Sequence, residues 1–211
     1  MTINYENINL ILNIIKSVSI IIASCVAIYG INSWRREAKW KRKYELAEQT
    51  LSLFYEIKDI FSIIRSPFSY ADEGKTRKRG KNERPEETEI LDRAYIVIER
   101  FEKNKEPFYK LRAIKYRFIT IFGKETEKYF SDIIKLSNKI MTVSGFLGRR
   151  YWKEQGRKEF SDTEFKLHLK KMEEYEGIIW EDFNEKDIIK NELEKIIFGI
   201  EKVCNSALKN K

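Results

Sequence analysis

The side chains with the most chemical reach in this sequence are arginines and lysines, because they are gathered into three stretches. Arg35, Arg36, Lys39, Lys41, Arg42 and Lys43 stand against the single acid Glu37. Arg65, Lys75, Arg77, Lys78, Arg79, Lys81 and Arg84 stand against Asp72, Glu73 and Glu83, and Arg149, Arg150, Lys153, Arg157 and Lys158 against Glu154 and Glu159. Together they hold more than the formal net charge of +8, so the rest of the chain is mildly acidic. Guanidinium groups grip carboxylates and phosphates through paired hydrogen bonds. With Tyr70, Tyr151 and Trp152 among the cations, the second and third stretches have the residue types to hold an acidic protein, a nucleotide or a nucleic-acid backbone. The candidate anion- or partner-binding residues are therefore Arg65, Lys75, Arg77, Lys78, Arg79, Arg149, Arg150 and Trp152. The plainer expectation is a solvated charge run on loops without fixed structure. Arg65, beside Pro67, also has a simple structural use as a cap for helix carbonyls.

Spacings that would make a catalyst are missing. His168 is the single histidine, which excludes paired-His zinc motifs and leaves any Ser/His/Asp triad dependent on one residue without a GxSxG turn. A surface or half-buried place on a helix is expected for it. A di-metal carboxylate site wants Glu three residues before His, and Phe165 stands there. No P-loop or GxGxxG occurs, and Gly145 to Gly148, followed by Arg149 and Arg150, reads as a helix end. Cys25 and Cys204 lie far apart, suggesting neither a disulfide framework nor a zinc site and fitting a reducing compartment. The expectation is no enzymatic centre, no metal and no cofactor.

What must position the basic stretches is a set of helices, the first of them apolar. Ile8 to Ser33 contains only Lys16 as a charged residue. Its uncharged part, Ser17 to Ser33, is at the short limit of the roughly 17 to 25 residues a spanning helix needs, and Ile8 to Ile15 extend it comfortably. Lys16 then lies off centre, where its stem can reach the interface. Trp34, Arg35, Arg36 and Lys39 form a border suited to lipid headgroups, and the positive-inside rule puts the C-terminal side in the cytoplasm. The organisation expected is a short outer tail over 1–7, a transmembrane helix over 8–33 and a cytoplasmic helical bundle over 34–211. A bacterial inner membrane with the N-terminus outside is the expected location. A cleavable signal peptide would carry its positive charge before the apolar run. Ile22-Ala23-Ser24-Cys25 has the order of a lipobox, but the apolar run continues through Val26 to Ile31. A helix lying on the surface would be apolar on one face, and this one is apolar nearly all round. Ser19, Ala23, Ala27 and Gly30 recur on nearly one face, which would let two copies of the span dimerise, or is ordinary tolerance of small residues in lipid.

Beyond the span the chain reads as all-α, an antiparallel bundle of about five helices. Few turns are available, with three prolines and nine glycines in a chain that is 35% charged. Ala47, Thr50, Phe54, Ile57, Phe61 and Ile64 follow helical spacing, with Leu46, Leu53 and Ile60 beside them, so one helix is expected from Trp34 to about Arg65 and a stop at Pro67. A second begins near Pro85, is interrupted or kinked at Glu106-Pro107 and ends at Gly123. Another runs from about Lys124 to Leu147. Ser161-Asp162-Thr163-Glu164 is a capping box for a fifth, and Asn184 can cap the last. Antiparallel neighbours would bring loop 66–84 and segment 149–160 to the same end.

The span, its Trp/Arg/Lys border, Ile64-Arg65-Ser66-Pro67, Glu73-Gly74 and Arg77 together resemble a group of bacterial single-span proteins with helical cytoplasmic domains. The resemblance covers about the first 145 residues. It implies topology and no activity. Three roles stay open at this point. One is a membrane-tethered interaction or sensor module that recruits a cytoplasmic protein. Another is a nucleic-acid or nucleotide sensor using the basic pole, and the third is a membrane-disrupting effector of a bacterial defence or toxin system.

Overall fold

The computed structural model describes residues 5–182 and 187–209, and every regular element among them is helical. The elements are α1 (Tyr5–Arg65), α2 (Pro85–Lys103), α3 (Glu106–Phe122), α4 (Glu127–Phe146), α5 (Trp152–Glu154), α6 (Asp162–Ile179) and α7 (Ile188–Leu208). A 3-10 turn (Lys124–Thr126) precedes α4, and a π turn (Leu147–Tyr151) joins α4 to α5. The chain divides into two compact units, 1–45 and 46–211, so residues 34–45 group with the apolar arm.

In the first unit, α1 is long and apolar enough to cross a membrane, and its apolar window is 0% buried. Ile21 and Val26 are 63% and 66% exposed. The hydroxyls of Ser19 and Ser24 donate to the carbonyls of Ile15 and Ile20, each at 2.8 Å, so neither needs water. A methyl group at Gly30 would meet nothing within 4 Å. Trp34, Arg35, Arg36 and Lys39 are all exposed, and the rings of Trp40 and Tyr44 lie 5.3 Å apart.

The second unit is built on the two interleaved apolar rows of α1. Ala47, Thr50, Phe54, Ile57, Phe61 and Ile64 are buried, as are Leu46, Leu53 and Ile60. Phe54 meets Phe130 edge-on at 5.5 Å, Phe61 approaches Phe108 at 6.2 Å, and Phe118 lies 5.3 Å from Phe130. These pairings make α3 antiparallel to this part of α1. The same holds for α7, because Arg65 pairs with Asp187 and the Tyr55 hydroxyl donates to Glu201, 14 residues further along α7. Helix α4 packs against α2, α3, α6 and α7.

Local signals set most helix ends. Pro85 opens α2, Pro107 lies in the first turn of α3, and Gly123 at φ 102° ends α3. Ser161 and Glu164 complete both halves of the capping box. Asn184 lies outside the described residues; Asp187 caps α7 by accepting from the Lys190 amide at 2.9 Å.

The expected helix end at Gly145 to Gly148 is not one. The chain continues through the π turn into α5, a path that buries Leu147 and Trp152 together. Gly148 is what lets α2 approach, since a Cβ there would lie 2.4 Å from the Ala94 Cβ, whereas one at Gly145 would meet nothing within 4 Å. Two alanine substitutions should therefore move stability in opposite directions. Gly145→Ala should raise it by about 0.5–1 kcal/mol through helix propensity. Gly148→Ala should lower it by about 1–3 kcal/mol through overpacking. Thermal melts followed by circular dichroism in detergent check this, and equal shifts for the two would contradict the close crossing.

Candidate functional site

Helix α1 stops before Pro67, leaving carbonyls in its last turn without helical partners. They are met by a side chain from α2. Arg100, 5% exposed, donates to the carbonyls of Ser66 at 2.7 Å, Ile63 at 3.3 Å and Ile64 at 3.5 Å, and also to that of Phe68. Its other face holds the Glu73 carboxylate at 2.6 and 3.0 Å, and Glu73 in turn accepts from the Tyr70 amide at 3.2 Å. The Arg100 guanidinium keeps the Glu73 carboxyl below the ordinary range, against the opposing effect of burial.

Further along, the chain turns through Gly74 at φ 85°, where a Cβ would lie 2.1 Å from the Asp92 carbonyl oxygen. The Gly74 amide donates to Glu99 at 2.6 Å. Burial pushes Glu99 up, but Lys103 and the Gly74 amide bring it below the ordinary value. Arg77 then bridges Glu83 and Asp92, reaching Asp92 at 2.9 Å. Glu83 is pulled down to about 2, chiefly by the Arg77 bond against burial, with help from the Gly80 amide and the Thr88 hydroxyl. The connector 66–84 is thus pinned to α2 by carboxylates and arginines, which corrects the expectation of loops without fixed structure.

Several candidate residues are occupied inside the protein. Arg65 is 2% exposed; it donates to the carbonyls of Gly177 and Ile178 at 3.0 Å and Trp180 at 2.7 Å, and pairs with Asp187 at 2.9 Å. It does cap helix carbonyls, but those of α6. Burial raises the Asp187 carboxyl, yet Arg65 and the amides of Lys190 and Asp182 outweigh that and leave it below its usual value. Trp152, expected among exposed cations, is 8% exposed; its indole N–H donates to Glu176 at 2.6 Å and the Arg93 guanidinium lies 4.5 Å above its ring. His168 is buried rather than half-buried, its ring 4.8 Å from Phe160 and 5.3 Å from Tyr151.

The two basic connectors converge on the start of α2. Glu87 pairs with Arg84 at 2.8 Å and with Lys153 at 3.1 Å, and Arg157 donates to the Glu86 carbonyl at 3.1 Å. Arg149 and Arg150 are exposed, the latter 5.8 Å from the Tyr151 ring. On the connector, Lys75 is exposed and pairs with Asp72 at 3.0 Å, Lys78 is exposed, and Arg79 lies 4.0 Å from Asp92. Phe68 and Tyr70 point into solvent beside them. A cavity of about 530 Å³ runs from Tyr70 to α2, lined by Glu73, Lys75, Glu89, Asp92 and Arg93 among others.

The charge counts did not anticipate Arg100, Glu99 and Asp187. Arg100 could have been noticed as a cation lodged between Val97 and Phe101 on the apolar stripe of α2. Among the described residues no group of three His, Cys, Asp or Glu is placed to hold a metal ion. Cys204 is buried, which pushes its thiol up to about 12 and leaves it unreactive. No protein family, curated protein or solved structure matches this chain.

Proposed function

We propose that this chain is a membrane-anchored interaction module, held in a bacterial inner membrane by residues 8–33, whose helical unit recruits a cytoplasmic protein and performs no chemistry of its own. The observation that carries the reading is the arm itself, an apolar helix whose side chains are exposed along its length. Such a surface is stable in hydrocarbon and an aggregation hazard in water. The basic border from Arg35 to Lys43 supports a cytoplasmic C-terminal side, and Ser19, Ala23, Ala27 and Gly30 offer a face for a second copy. The nucleic-acid alternative loses support because Arg65, Arg77 and Trp152 have internal partners.

The test is a C-terminal fusion to a reporter active on only one side of the membrane, paired with a reporter of the opposite preference. Cytoplasmic activity in the membrane fraction is the expected result. Export of the C-terminus would overturn the orientation and return Cys25 to consideration as a lipidation site.

A further inference from the structure

Phe68 and Tyr70 are 76% and 84% exposed, the two highest values among large apolar side chains of the described residues. Their exposure is imposed by the backbone beneath them. The Phe68 carbonyl is held by Arg100 and the Tyr70 amide by Glu73, so the segment carrying both rings is fixed before anything binds. A loop pinned in this way loses little conformational freedom on association, and aromatic anchors on such a loop are the usual carriers of binding energy.

Building on the interaction-module reading, we propose that the connector 66–84 is the recognition surface, and that its occupant is a protein segment with apolar or aromatic residues flanked by carboxylates. Charge complementarity selects the flanking residues. Lys78, Arg79 and Lys81 are exposed on the same connector, and Arg79 reaches Asp92 only at 4.0 Å, while Arg77 holds the other oxygen of that carboxylate at 2.9 Å. The adjoining cavity has both signs of charge on its wall, with Glu73, Glu89 and Asp92 beside Lys75 and Arg93. A polypeptide of mixed polarity suits that lining, whereas a run of phosphates would meet the carboxylates of Glu73, Glu89 and Asp92 there.

The probe is a phage-displayed library of random peptides, panned on the full chain in detergent, followed by fluorescence anisotropy with the enriched peptides as synthetic segments. Enrichment of acidic sequences containing aromatic or large aliphatic residues is expected. Their affinity should fall at least tenfold for Phe68→Ser/Tyr70→Ser and for Lys78→Glu/Arg79→Glu. It should be unchanged for Tyr116→Ser, an aromatic on α3 that is 72% exposed. All of these positions are exposed, and melting curves confirm that the variants fold. Peptides that bind wild type and both double variants alike would sink the connector assignment while leaving the module reading standing. If no peptide enriches, the connector assignment is overturned, while the reporter fusion decides the anchored-module reading separately. Connector-dependent binding of an oligothymidylate or of anionic vesicles, in place of peptides, would overturn the protein occupant.

Discussion

Arg65→Leu should cost the second unit about 3–5 kcal/mol, the range for removing one partner of a buried charge pair. The guanidinium joins three helix ends: the C-terminus of α1 to which it belongs, the carbonyls of Gly177, Ile178 and Trp180 at the end of α6, and the Asp187 cap of α7. Leucine fills part of the volume but leaves the buried Asp187 carboxylate without its counter-ion, held by the Lys190 and Asp182 amides alone, and removes the guanidinium donor from three carbonyls. Lysine keeps the charge yet cannot reach so many acceptors from one ammonium, so Arg65→Lys should recover only part of the loss. Denaturant titration of the detergent-solubilised chain, followed through Trp152 and Trp180, would read the change. A loss under about 1 kcal/mol, as for a surface pair, would contradict the burial of this junction. The same pair predicts an acid response. Because the Asp187 carboxyl is depressed in the folded chain, its contribution is present above the ordinary value of 3.8 and disappears as pH falls through the lower folded value. Asp187→Asn should therefore be less stable at neutral pH and less sensitive to acid than wild type.

Features governed by a few neighbouring residues could be read from the sequence. The two rows of α1, the opening of α2 at Pro85, the stop at Gly123 and the capping box at Ser161 all rest on spacing or on one residue's backbone preference. Charges could not be read in the same way. Counting cations treats each as free, but Arg65 and Arg77 are neutralised by Asp187, Glu83 and Asp92, and only the tertiary path decides that. One extra residue decides the burial of Trp152. Continuing the inward face of α4 past Leu147 in α-helical register points to Tyr151, and the extra residue of the π turn moves it to Trp152. His168 is buried because Phe160 and Tyr151 close over α6, a contact between segments whose spacing carries no signal.

The largest expected effect concerns the arm, and depth is the variable that separates lipid from any other apolar environment. A lysine near the middle of a spanning helix costs about 2.5–3.5 kcal/mol, so Ile22→Lys/Val26→Lys should disfavour insertion by about 5–7 kcal/mol, roughly a 10⁴-fold shift. Near the interface a lysine stem reaches water and the cost nearly vanishes, as native Lys16 already requires. Asn13→Lys should therefore leave the protein in the membrane fraction after alkaline extraction, while the double substitution releases it to the supernatant or to aggregates. A protein groove covering the arm would not grade the penalty by distance from the end of the run. Retention of the double variant in the membrane, or equal release of Asn13→Lys, would refute insertion of residues 8–33. With it would go the reason for expecting the connector to act at a membrane.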